Sequence, residues 1–294
     1  MDSLFICPVC HEKNGEYLPL NFDSESRSMR CENGHCFDVA AKGYVNLLLS
    51  QHKNVKDPGD SKNMVVARQQ FLNSGAYQPL RDAICDTITE LCGGIPEPVV
   101  TDCGCGECYY TAGIYDALAS AGAAPKIYGM DISKHALAAG KSRRGGRNIR
   151  CAAASVFRLP LKSESADAAT VIFAPMCIEE ILRILKPNGV MVCAIPAENH
   201  LWGLKKLLYE QPYLNEVKPY EIEGFEFIGK REVSFKLTIT EQDMLNALYT
   251  MTPYYYKTSR EDSNKLYSYF GTNCVFTTEA AFEVLSYRKI HSQG

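Results

Sequence analysis

Cys7-Pro8-Val9-Cys10 sets two thiols two residues apart, and Cys31 with His35 supplies a second pair of soft donors further along. Zinc takes four nitrogen or sulfur ligands in a tetrahedron, and two such knuckles on facing hairpins can provide them. Residues 23–28 between them are polar, as a short hairpin or loop would be. Cys36 is a rival fourth ligand beside His35, and His11 a weaker one. Four protein ligands leave no open position, so such a centre is structural or recognitional and not catalytic. A module of this size buries too little core to fold alone, and metal would stabilise it directly.

A second constellation begins at residue 99, where Val-Val-Thr-Asp-Cys-Gly-Cys-Gly runs into Glu107. An apolar, β-branched run ends in an acid, Asp102, and opens into a loop carrying Gly104 and Gly106. Ile127-Tyr128-Gly129-Met130-Asp131 then reads as a second strand ending in a carboxylate. Strand, glycine turn, helix and acid-tipped strand form the nucleoside-binding half of a doubly wound α/β sheet, with Asp131 placed for ribose hydroxyls. A pyrophosphate loop would need a third glycine. Neither Tyr109 nor Ala112 supplies it, and Asp102 suits a cationic ligand better than a phosphate. The pattern favours S-adenosylmethionine over a dinucleotide. Cys108 stands where methyltransferases of this class usually carry glycine, so a left-handed backbone there would be strained.

These groups need a sheet to hold them. Residues 152–155 fall at the end of a third strand, where Ser155 either meets the adenine or caps the turn. Residues 167–175 read as a fourth strand ending at the active-site edge, where Phe173 and Pro175 are placed to hold a target base by stacking or shape. Residues 179–186 read as an amphipathic helix stopped by Pro187-Asn188-Gly189, with a strand at 190–195. Alternation at Val233, Phe235 and Leu237, and later at Val275 and Phe276, suits closing antiparallel strands. Tyr254, Tyr255 and Tyr256 form either a substrate wall or a half-buried helix-to-loop junction. Glu107, Glu179 and Glu180 are acids near the site, and none is assigned as catalytic base.

The 294 residues are 46% apolar and 22% charged, as in a globular protein, with a net charge of −3 that advertises no nucleic-acid partner. No apolar stretch approaches membrane-spanning length, and no secretory leader pattern opens the chain. A cytoplasmic location is expected. Thirteen cysteines fit a reducing compartment, as buried thiols or metal ligands. Lys141, Arg143, Arg144, Arg147 and Arg150 form an acid-free basic run, read as a solvated helix end and loop or as RNA contact.

Between knuckle and sheet lies Phe37-Asp38, then Gly43-Tyr44-Val45-Asn46-Leu47-Leu48, Gln51-His52-Lys53 and Asp57-Pro58-Gly59-Asp60-Ser61. The last is a turn whose Ser61 can cap a helix over 62–72. A second helix begins near Tyr77-Gln78-Pro79-Leu80-Arg81-Asp82, with Pro79 acceptable in its first turn. With the knuckle and the glycine loop, these segments resemble the bacterial 23S ribosomal RNA guanine-N1 methyltransferases of the RlmA type over nearly the whole chain.

The resemblance implies an α/β, class I (Rossmann-like) S-adenosylmethionine-dependent methyltransferase with a small N-terminal zinc-binding module. The divisions are 1–38 (zinc module), 39–95 (helical connector) and 96–294 (methyltransferase domain). It implies zinc ligands Cys7, Cys10, Cys31 and His35, and cofactor contacts from Tyr77, Gly106, Glu107 and His200. The residue reading adds Asp102, Gly104, Asp131 and Ser155. The expected substrate is a guanine N1 in a domain II hairpin loop of 23S ribosomal RNA; a homodimer is left open, and no membrane partner is expected. The competing readings are a non-catalytic RNA-binding protein with a degenerate cofactor loop, to which Cys108 points, and a methyltransferase for a non-RNA substrate.

Overall fold

The computed structural model describes residues 3–49, 58–217 and 219–290. Gln51-His52-Lys53 and Asp57 of the connector lie outside them. The N-terminal module contains α1 (Pro8–Asn14), β1 (Asn21–Asp23), β2 (Ser28–Arg30) and β3 (Cys36–Asp38), the strands forming a small antiparallel sheet. The first knuckle does not sit on a hairpin. Cys7 is the N-cap of α1, Pro8 its first residue, and Cys10 its buried side chain. Proline's fixed φ and missing N–H suit a helix start, so the Cys-Pro pair favours a helical turn there.

The connector supplies β4 (Tyr44–Asn46), α2 (Lys62–Asn73) and α3 (Gln78–Leu91). Ser61 Oγ accepts the Met64 N–H at 3.4 Å, the cap its sequence position predicts. Then follow β5 (Val99–Cys103), α4 (Tyr109–Ser120), β6 (Lys126–Asp131), α5 (Lys134–Ala139), α6 (Lys141–Arg144), β7 (Ile149–Ala153), β8 (Ala166–Ile172), α7 (Ile178–Ile184) and β9 (Leu185–Pro196). The chain closes with α8 (Trp202–Leu208), β10 (Phe225–Ile239), α9 (Gln242–Met251), α10 (Tyr254–Lys257), α11 (Arg260–Asn273) and β11 (Phe276–Lys289). Against expectation, α7 ends at Ile184. β9 already starts at Leu185 and carries Pro187-Asn188-Gly189 within its assigned span, Asn188 taking φ 61°.

The main sheet runs β10-β11-β9-β8-β5-β6-β7-β4. β11 is antiparallel to both its neighbours, and β9 through β4 are mutually parallel. Side chains of the central strands alternate between two cores, as the two-residue period of a strand requires. Val100, Ile127, Ala168 and Ile172 face the core shared with α2, α3, α4, α8 and α9. Cys103, Tyr128, Met130, Ala169 and Val171 face the other, together with Phe5, Leu20 and Met29 of the N-terminal module.

The module is therefore docked on the sheet. Ile6 N–H donates to the Pro160 carbonyl at 3.0 Å, and the Phe5 and Tyr128 rings meet edge-on at 5.2 Å. β4 pairs in parallel with β7, so the connector extends the sheet edge.

The basic run is not a solvated helix end. Arg144 is buried, donating to the carbonyls of Lys42 (2.7 Å) and Leu137 (2.9 Å). Arg143 pairs with Glu107 and Arg147 with Asp116. Three of its cations thus tie α6 and its flanks to neighbouring elements.

Candidate functional site

Cys7, Cys10, Cys31 and His35 place their ligand atoms within 4.8 Å of one another. His35 Nδ1 lies 3.6, 3.3 and 3.4 Å from the Sγ atoms of Cys7, Cys10 and Cys31, and the Cys10 and Cys31 sulfurs are 3.9 Å apart. Tetrahedral zinc requires about 3.6 Å between sulfur and nitrogen and about 3.8 Å between sulfurs. The donor set fits zinc. Exposed Cys36 stays on β3, and His11 packs against Tyr17 at 4.7 Å instead of joining the centre.

At the carboxyl ends of the parallel strands, the amides of Gly104 and Cys105 both donate to the Met130 carbonyl, at 2.7 and 2.9 Å. This fastens the glycine loop to β6. Gly104 sits at φ 90°, and a Cβ there would come within 2.3 Å of Ala174 Cβ; only glycine fits. Gly106, at φ 52°, has open space where a Cβ would point, so its backbone is bare to a ligand. Its amide donates to Asp131 Oδ2 at 2.8 Å, while Asp131 Oδ1 accepts from Ser133 N–H at 2.7 Å. Burial pushes the Asp131 carboxyl up to about 6 against those two bonds.

Asp102 is turned inward. Thr111 Oγ1 and Thr170 Oγ1 donate to its two oxygens at 2.5 and 2.8 Å, bracing β5 against α4 and β8. Its carboxyl is also pushed up to about 6 by burial. Glu107 receives Arg143 Nε on Oε2 at 2.5 Å, whereas its buried Oε1 has no hydrogen-bond partner among the described residues. Burial outweighs Arg143 and lifts this carboxyl to about 7. The buried Tyr110 hydroxyl likewise has no such partner among the described residues. Buried polar atoms are ordinarily bonded, which makes these two candidate contacts for a polar ligand.

Phe282 on β11 gathers the remaining residues. Its ring lies 4.4 Å from His200, 5.0 Å from Tyr77 and 5.7 Å from Phe173, and Phe173 reaches Tyr110 at 6.4 Å. His200 Nδ1 accepts the Ala281 N–H at 3.3 Å, so Nε2 carries the proton. Burial drives this imidazole down to about 3, and it is neutral. Phe173 is 48% exposed and holds a left-handed backbone at φ 54°, strain of the kind that clusters at functional sites. Pro175 is exposed two residues on.

Ser155 Oγ accepts the Phe157 N–H at 3.2 Å, a turn cap. It also lines a cavity of about 580 Å³ with His11 and Glu12 of the module, Leu47 and Leu49 of the connector, and Arg158. Of the tyrosines on α10, Tyr254 is buried while Tyr255 and Tyr256 are exposed. Tyr110 and Phe282 escape the sequence reading. Tyr110 had a signal in its place just after the loop; Phe282, on an otherwise ordinary strand, had none.

A parallel sheet with this loop after β5 and an acid at the tip of β6, joined to a zinc-ribbon module, defines a class I S-adenosylmethionine-dependent methyltransferase with a structural zinc centre. Residues 5–56 match the zinc ribbon described as "RlmA, N-terminal", and residues 101–193 match "Methyltransferase domain". The chain is 32% identical over 256 residues to the 23S rRNA (guanine(748)-N(1))-methyltransferase of Streptomyces fradiae, covering 84% of each chain. It is 34% identical over 213 residues, 66% of each chain, to a Micromonospora griseorubida protein provisionally named 23S rRNA (guanine-N(1)-)-methyltransferase. YxjB of Bacillus subtilis, provisionally given the same name, is 29% identical over 85% of this chain and 86% of its own. The chain belongs to the RlmA family of 23S rRNA guanine-N1 methyltransferases.

Proposed function

We propose that this protein transfers a methyl group from S-adenosylmethionine to N1 of a guanine in a domain II hairpin loop of 23S ribosomal RNA, in the cytoplasm. The observation that carries the reading is Phe173. An aromatic ring stands half exposed on strained backbone just past the carboxyl end of β8, against Tyr110 and Phe282, where an unpaired base can be stacked.

S-adenosylmethionine, when bound, supplies an activated methyl group on a sulfonium. Asp131 accepts from ribose hydroxyls, and Gly106 lets backbone approach. Glu107 Oε1 is an acceptor free for the cofactor's cationic groups. Tyr77 and neutral His200, both buried, exclude water from this side. Guanine N1 lies on the Watson–Crick edge, so the base must be unpaired or flipped, and Phe173 with Pro175 holds it there. Positioning of donor and acceptor supplies much of the acceleration. The N1 proton leaves to a base or solvent relay to which no side chain is assigned. Cys7, Cys10, Cys31 and His35 hold the zinc that shapes the ribbon for gripping RNA phosphates and form.

The test is methylation of unmodified large-subunit RNA with labelled S-adenosylmethionine, followed by reverse transcription. The expected result is label in the RNA and a new polymerase stop in the domain II loop. Label without a stop moves the methyl group off N1. No label despite measured cofactor binding overturns the enzyme reading. Light scattering of the complex decides whether one copy or two grip the hairpin.

A further inference from the structure

Cys105-Gly106-Glu107-Cys108 repeats the two-residue spacing of the ribbon's first knuckle, and β7 brings Cys151 against it. The three sulfurs lie within 4.8 Å of one another and all three side chains are buried. The Cys108 and Cys151 Sγ atoms are 3.8 Å apart, within the about 3.8–4.0 Å that two thiolates span on one zinc ion. We propose that Cys105, Cys108 and Cys151 form a second metal site, a three-thiolate centre for a thiophilic divalent d¹⁰ cation such as zinc, lying directly beneath the cofactor loop.

Three features of the surroundings argue for a built site. Gly129 on β6 leaves the space in which the sulfurs meet: a Cβ there would lie 2.9 Å from Cys105 Sγ and 3.0 Å from Cys151 Sγ. Cys108 holds φ 65°, a left-handed conformation unfavourable for a non-glycine residue, and this backbone carries its sulfur into the cluster. Buried Arg144 directs Nη1 to Cys108 Sγ at 3.6 Å, and its other hydrogen bonds among the described residues go to the neutral carbonyls of Leu137 and Lys42. Three thiolates, a dication and this guanidinium sum to zero charge, the balance a buried site needs. Soft thiolate donors select such ions over magnesium or calcium.

Two ligands lie within the loop that carries Gly106 and the third on a neighbouring strand. Occupancy therefore staples the cofactor loop to β7. Metal binding releases the thiol protons to solvent and changes no oxidation state.

The full-length reduced protein, stripped of metal and titrated with zinc or cadmium, tests the proposal by metal content and thiolate-to-cadmium absorbance. A second equivalent beyond the ribbon's is expected. Cys108→Gly removes one ligand and relieves the left-handed strain, so it should fold and keep only the ribbon's equivalent. Cys151→Ser should do the same, while Cys31→Ser should weaken the ribbon's equivalent and spare the second. A single equivalent in the unaltered chain, or two in well-folded Cys108→Gly, overturns the proposal. Neither readout depends on methyltransferase activity, so failure here is distinct from failure of the RNA reading.

Discussion

The Gly106 amide and Asp131 Oδ2 are joined by a 2.8 Å hydrogen bond, so the loop after β5 and the tip of β6 are linked by the acid expected to receive the ribose. Burial raises that acid to about 6, and its ionised form accepts hydroxyl bonds more strongly than its protonated form, in which one oxygen has become a donor. Cofactor affinity should therefore strengthen as pH rises from about 5 to about 7, with proton release on binding. Asp131→Asn should bind more weakly and lose this dependence; calorimetry in two buffers of different ionisation enthalpy reads both. Without ligand the sign for stability is opposite. A folded-state value above the ordinary 3.8 means stability from this group falls as pH rises from about 4 to about 6.

His200 carries an acid-side prediction. Its imidazole is pushed down to about 3, so the folded state resists protonation that the unfolded chain accepts near 6.5. Stability should be unaffected by this residue above pH 6.5 and fall on the order of 1 kcal/mol per unit below it, until the folded value is reached. His200→Gln should show a shallower decline in denaturant titrations between pH 6.5 and 4. Parallel curves for the two proteins would sink the assignment.

Phe173 separates substrate grip from cofactor binding. Base stacking on an aromatic is worth about 1–3 kcal/mol, so Phe173→Ala should lower kcat/KM for RNA by about 5–150-fold. Affinity for S-adenosylmethionine should stay within about threefold, because no proposed cofactor contact is removed. Phe173→Gly should additionally raise thermal stability, by relieving the φ 54° backbone. Equal losses of cofactor and RNA binding would contradict the placement.

The ribbon can be tested by removing a ligand. Structural zinc contributes on the order of 10 kcal/mol in small modules, so Cys31→Ser should melt the ribbon. RNA methylation should fall to background, while the sheet's own hydrogen-bonded strands and its cofactor affinity persist. Limited proteolysis should then cut within residues 5–38 before the rest of the chain.

What the sequence disclosed followed the range of the forces involved. Cys7, Cys10 and Cys31 are legible because ligand spacing is local chemistry, with the family resemblance choosing His35 over Cys36, and Gly104 is legible because a glycine turn straight after a β-branched run is a local pattern. Ser61 discloses its helix for the same reason. Phe282 is silent because its role depends on β11 lying between β9 and β10, a pairing no local pattern encodes. The inward turn of Asp102 depends on Thr170, far along the chain. Arg144 misleads most plainly: amid other cations it reads as surface, and only the approach of Lys42 and Leu137 shows it to be core.

The clasp between Arg144 and the Lys42 carbonyl spans 102 residues of chain. At a synthesis rate of roughly 5–20 residues per second, about 5–20 s pass between the emergence of these two partners from the ribosome. For most of that interval the ribbon exists without Tyr128, and throughout it without β7 and Pro160, on which β4 and the ribbon rest. Early zinc capture is the natural guardian of this segment during translation. Metal starvation should consequently harm the nascent chain more than the finished protein.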